Sequence, residues 1–181
     1  MKGVLYYDSK YGSTEQISHW IIKPLKFTKI QKISYGLKIS QDGDFYILGT
    51  PVFIGKPMQN MVDFILMNKD GMINKPVFLF ITSWAQSTKY KHECDKFIDL
   101  LKFHLSPILP VLAKSLPGRL YIDKLTPKDR SVMERLLRRI DDRSKEFDSQ
   151  TILFNDQTNQ KQCEEFGQEI HECLKYKSDM F

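Results

Sequence analysis

Apolar residues fall in two rhythms along this chain. Short unbroken runs at Gly3–Tyr7, Phe45–Leu48 and Val77–Ile81 predict strands. Val77-Phe78-Leu79-Phe80-Ile81 has no polar position, the signature of a strand covered on both faces. Weaker strands are expected over 28–33 and at Arg119-Leu120-Tyr121-Ile122. Between the runs, apolar positions recur three and four apart. They predict helices over 13–25 (Ile17, Trp20, Ile21 and Leu25 inward) and 57–68 (Met58, Met61, Val62, Ile65 and Leu66, with Pro57 in the first turn). Further helices are expected over 89–105 (Phe97, Ile98, Leu101 and Leu105 inward), 127–146 and 158–176, the last two separated by Thr151–Phe154.

Strand followed by helix, repeated, argues for a parallel α/β sheet with right-handed crossovers. Ligands in such sheets sit at the carboxyl ends of the strands, at the topological switch point. That rule selects the loops at 8–14, 49–56 and 82–86. In the first, an apolar strand opens into Ser9-Lys10-Tyr11-Gly12-Ser13-Thr14, and a helical pattern follows at once. Backbone N–H groups, the helix dipole and hydroxyl donors there favour a phosphate. The same residues would also suit an ordinary capped helix start. No G-x-x-x-x-G-K and no G-x-G-x-x-G occurs, which disfavours a nucleoside-triphosphate loop and a dinucleotide site.

Composition narrows the class. A hydrophobic content of 41% suits a chain with a sizeable core rather than a disordered one. The apolar runs are too short to cross a bilayer, and Met1–Leu5 has no signal-peptide pattern. Cys94, Cys163 and Cys173 are odd in number and fit no metal spacing, so free thiols and a cytoplasmic location are expected. The four histidines share no metal spacing either, and neither a metal nor a catalytic side chain is assigned. The net charge of +5 suits an anionic partner or cofactor, or simple solubility. Arg138-Arg139 is too little for nucleic acid, and no aromatic-basic platform is visible.

The first loop resembles the flavodoxin signature: Leu5, Tyr6 and Tyr7, then Ser9, Gly12 and Thr14, then Ile21. Ser18 departs from it, standing where that family has alanine. Gly49-Thr50-Pro51-Val52-Phe53-Ile54-Gly55-Lys56-Pro57 resembles the same family's flavin-ring loop. The resemblance implies a flavodoxin-like three-layer α/β sandwich over residues 1–181, with a five-stranded parallel sheet of order 2-1-3-4-5 and helices on both faces. It also implies FMN, held non-covalently. Ser9, Lys10, Tyr11, Gly12, Ser13 and Thr14 would wrap its phosphate. Thr50, Pro51, Val52, Phe53, Ile54 and Gly55, with Ser83, Trp84 and Ala85, would hold the ring, Phe53 on one face and Trp84 on the other. Ile54-Gly55 is the nearest match to the family's glycine-containing peptide beside the ring, and Lys56 would place a cation near it. Core packing for Phe53 and an ordinary loop position for Trp84 are the bland alternatives.

The last third adds a basic insert at about 124–157. Val132, Met133, Leu136, Leu137 and Ile140 share one helical arc, opposite Arg135, Arg138 and Arg139. Such a helix suits packing on the sheet, docking of a partner, or peripheral membrane contact through 127–146. Gly118-Arg119-Leu120-Tyr121 followed by a basic insert and a final helix resembles the layout of the flavodoxin-type protoporphyrinogen oxidase, which pairs FMN with a quinone. Two functional classes follow. One is an electron carrier that docks a redox partner protein. The other is an FMN-dependent enzyme that oxidises a bulky small molecule and passes electrons to a quinone or another acceptor. An insert packed away from the cofactor favours the carrier; one arching toward it favours the enzyme.

Overall fold

A computed structural model of the chain describes residues 1–87, 90–141 and 154–178. Its centre is a sheet of five parallel strands in the order β2-β1-β3-β5-β6. These are β1 (Gly3–Tyr7), β2 (Thr28–Lys32), β3 (Phe45–Phe53), β5 (Val77–Ser83) and β6 (Leu112–Pro117). The two-residue strand β4 (Lys56–Pro57) folds back antiparallel on the end of β3. Counting the parallel strands alone, this is the expected 2-1-3-4-5 order.

Strand alternation sorts the core into two layers. Val4 and Tyr6, Tyr46 and Leu48, and Val77, Leu79 and Ile81 face one way. They pack on α2 (Gln59–Asn68) and α3 (Glu93–Leu105), through Met61, Ile65, Cys94 and Leu101 among others. Leu5 and Tyr7, Phe45 and Ile47, and Phe78 and Phe80 face the other way, onto α1 (Ser13–Ile21) and α5 (Gln160–Ser178). Gly167 allows α5 to cross α1 closely, since a Cβ there would lie 2.1 Å from the Ile21 carbonyl oxygen. Ser18, the departure from the family pattern, is buried and satisfied: its hydroxyl donates to the Thr14 carbonyl at 2.8 Å.

Several expectations need correction. The fifth strand of the sheet is Leu112–Pro117, not Arg119–Ile122. As an edge strand it tolerates Lys114 and a terminal proline, so its sequence carries no clean alternation. Arg119–Tyr121 instead forms β7, antiparallel to β8 (Phe154–Asp156) in a separate two-stranded ribbon. β3 runs on from Leu48 through Phe53, so most of the expected 49–57 loop is strand and hairpin. Pro57 belongs to β4, and α2 starts two residues later. Leu66 turns outward while Phe64 takes a core position. α1 ends at Ile21 because Pro24 cannot continue it, although Leu25 still reaches the core. α3 begins at Glu93; residues 88 and 89 of its expected start lie outside the described residues. The basic insert begins with α4 (Pro127–Asp141), and its expected extension to 146 lies outside the described residues. Cys94 and Cys163 are buried, whereas Cys173 is half-buried. Burial pushes the Cys163 thiol up to about 12. Among the described residues, no helix is long and apolar enough to cross a membrane.

Candidate functional site

The carboxyl ends of β1, β3 and β5 meet in one cleft. The turn after β1 is shaped by Gly12, whose φ of +83° is left-handed and whose missing Cβ would meet nothing within 4 Å. The Gly12 N–H donates to Ser9 Oγ at 3.1 Å, closing the loop just before α1 begins. Thr14 is fully buried, and its hydroxyl pairs with that of Thr82, at 2.9 Å, tying the start of α1 to β5. Ser13 Oγ is buried without a hydrogen-bond partner. Beneath the loop, burial raises the carboxyl of Asp8 above the usual range, opposed by the Ser9 N–H and by Lys32 and Asn60.

The second side of the cleft comes from Pro51, Val52 and Phe53 at the end of β3. The Phe53 and Tyr11 rings lie 6.2 Å apart, and the Lys10 ammonium stands 4.5 Å from the centre of the Phe53 ring. Lys10 is therefore the cation at this aromatic face, while Lys56 is exposed on β4. Ile54 and Gly55 form the hairpin turn, both with positive φ, at 52° and 72°. They are exposed and do not line the cleft. Thr50 is fully buried behind the hairpin, its hydroxyl accepting the Met58 N–H at 3.3 Å. Thr82 of β5 and Trp84, just past the end of that strand, reach the cleft. Ser83 does not line it; its hydroxyl accepts the Ala85 N–H at 3.1 Å, and Ala85 packs toward the α2–α3 layer.

A third side was not foreseen as part of the site. Gly118, Arg119, Leu120 and Tyr121, then Leu125 and Met133 of the insert, complete the cleft wall. Gly118 permits the chain to pass close to β5, with a would-be Cβ 3.3 Å from the Ser83 backbone and its N–H donating to the Ser83 carbonyl at 3.0 Å. Leu120, Ile122, Leu125 and Met133 form a small core of their own, with Tyr11 and Trp84 against it. Asp129 of α4 fixes this wall to the cradle. Its carboxylate lies 2.5 Å from the Lys10 ammonium and also accepts the Tyr11 hydroxyl. Those bonds hold its carboxyl down at about 2. The Gly-Arg-Leu-Tyr signal was visible in the sequence, but nothing in it marked Arg119 or Asp129 as site residues.

The donor set suits a phosphate: a left-handed glycine turn at a helix start, an unpartnered buried serine hydroxyl, and the nearby Arg119, with Lys10 beside them paired to Asp129. Beside it, Phe53, Tyr11, Trp84 and the aliphatic wall suit a flat, largely apolar ring. Among the described residues, no group of histidine, cysteine and carboxylate side chains could hold a metal.

A family model described as "Flavodoxin domain" matches residues 4–148. None of the curated proteins matches the chain in sequence. Solved structures with a similar fold include a protein from Bacteroides uniformis ATCC 8492 described as a flavoprotein. It has a TM-score of 0.50 and 13% identity over 76% of this chain and 97% of that one. A flavoprotein in complex with FMN from Lactobacillus acidophilus NCFM gives 0.47 and 15%, over 63% of this chain and 92% of that one. Oxidised flavodoxin 1 from Bacillus cereus gives 0.46 and 19%, over 82% and 100%.

Proposed function

The chain belongs to the flavodoxin domain family, and from that membership together with the cleft geometry we propose that it binds FMN and works in electron transfer. The carrying observation is convergence: the cradle around Gly12, the Phe53 aromatic face and Trp84 all line or border one cleft at the carboxyl ends of β1, β3 and β5. FMN, when bound, supplies reversible one- or two-electron redox chemistry at its ring. The protein's own residues bind and orient. The turn at Gly12 and the hydroxyls of Ser9 and Ser13 would hold the phosphate. Phe53 and Trp84 would flank the ring, and Leu120, Leu125 and Met133 would exclude water from one side.

The insert favours a second reading. It arches toward the cleft, with Asp129 bonded to Lys10 and Met133 in the wall. A pure carrier has no need of an added apolar wall. An FMN-dependent enzyme acting on a bulky, partly apolar substrate such as a porphyrinogen would use one to seat it.

Anaerobic reduction of the FMN-loaded protein, followed by visible spectra, tests both readings. A spectrum that changes stepwise with each electron, and is indifferent to added porphyrinogen, supports the carrier. Reduction of the bound FMN by a porphyrinogen supports the enzyme. Protein that stays colourless after incubation with FMN overturns both.

A further inference from the structure

We infer that Arg119 is the phosphate-sensing cation of the cradle, and that it sets a preference for phosphorylated over unphosphorylated flavin; this rests on the FMN reading above. Among the described residues, two side-chain cations line the cleft at the cradle, Lys10 and Arg119. Lys10 is committed elsewhere, with its ammonium 2.5 Å from the Asp129 carboxylate and over the Phe53 ring. Arg119 reaches the cradle from β7, more than a hundred residues away in sequence. Its Nη2 donates to the Gly12 carbonyl at 3.3 Å and to Gln16 Oε1 at 2.5 Å.

Both of those partners are neutral, so they orient the guanidinium without cancelling its charge. Asp156 forms an ion pair with Nη1 at 3.6 Å, a longer contact than the one between Lys10 and Asp129, and it offsets only part of the charge. Asp156 is already engaged by the Thr158 N–H and hydroxyl and by the Tyr121 hydroxyl. Arg119 Nε is buried and has no hydrogen-bond partner, and Ser13 Oγ is in the same condition. The side chain is only 18% exposed, so its charge is weakly screened. A guanidinium fixed against the glycine turn, with its charge weakly screened, suits a phosphate monoester. It offers nothing to a neutral ribityl hydroxyl that water would not.

The test is a fluorescence titration of wild-type protein, Arg119→Gln and Arg119→Lys with FMN and, separately, with riboflavin. Arg119→Gln should lose about tenfold or more in FMN affinity, the scale of one charge-assisted hydrogen bond, with riboflavin affinity unchanged. Arg119→Lys should recover part of the loss. In wild-type protein, rising salt should weaken FMN but not riboflavin, a readout that needs no variant to fold. Equal weakening of both flavins in Arg119→Gln would make Arg119 a structural residue only and overturn the inference, as would unchanged FMN affinity or a salt-independent FMN preference. Wild-type protein that binds neither flavin would instead overturn the FMN reading itself, and this inference with it.

Discussion

Asp129, in the first turn of α4, places its carboxylate 2.5 Å from the ammonium of Lys10, in the loop after β1. The same carboxylate accepts the Tyr11 hydroxyl. One acidic side chain thus joins the insert to the two cradle residues that border the Phe53 face. It fixes where the cleft wall stands, and it compensates a cation that would otherwise be free to meet an incoming anion.

This pair has a pH signature. The folded carboxyl of Asp129 is held at about 2 by Lys10 and Tyr11, below its ordinary value. The stabilisation is therefore complete above about pH 4 and is lost as pH falls through the folded value. Asp129→Asn should be less stable than wild type at neutral pH, and the two denaturation curves should converge near pH 2. A stability difference that does not narrow on acidification would contradict the latch.

At Gly12 the constraint is conformational, since a side chain would find space but not a comfortable φ. Gly12→Ala should lose on the order of 1–2 kcal/mol, the cost of a left-handed residue bearing a Cβ. Denaturant midpoints measure this, and an unchanged midpoint would mean that the turn relaxes freely. FMN affinity should fall in parallel, because the cradle's N–H groups are aimed by that turn.

The hairpin at Ile54 runs against preference. A β-branched residue holds φ 52° at the first central position of a turn whose second is Gly55. Asn-Gly is the favoured pair for such a turn. Ile54→Asn should raise stability by about 1 kcal/mol, within the left-handed penalty it relieves. Ile54 is exposed, so little packing is lost. A drop in thermal midpoint would show that Ile54 is held by contacts worth more than its strain.

Gly167 is a packing residue far from the cleft. A methyl group there would lie 2.1 Å from the Ile21 carbonyl oxygen and 2.7 Å from Pro24. Gly167→Ala should push α5 away from α1 and destabilise by about 1–3 kcal/mol, as overpacking does. Its FMN affinity should stay near wild type. A large loss of affinity at unchanged stability would mean that the α1–α5 contact shapes the cradle.

The cradle was legible because its signals are local. A run of strand residues ending in Ser9–Thr14, followed by helical spacing, needs no knowledge of the rest of the chain. The rule about strand ends picked out the loops that carry Phe53 and Trp84, and the family resemblance picked out the two side chains. β6 was not legible: Leu112–Pro117 is an edge strand, where half-burial and proline blur the period. Arg119 and Asp129 were hidden for a different reason. Each looks like a solvated charge in sequence, and its partner, Gln16 or Lys10, is brought to it only by the path of the chain after Gly118. Of the threonines expected to hold the cofactor, Thr14 lines the cleft with its hydroxyl paired to that of Thr82, and Thr50 lies buried with its hydroxyl accepting the Met58 N–H.

The proposed function requires a single FMN site in the cleft between Gly12 and Phe53. Equilibrium titration of the purified chain with FMN, read by quenching of flavin fluorescence, tests it most directly. Saturation at one FMN per chain is expected, with a marked weakening in Gly12→Val, whose β-branched side chain cannot comfortably hold the left-handed φ of +83° that shapes the cradle. Fluorescence that never departs from that of free FMN, or binding that Gly12→Val leaves unchanged, would contradict it.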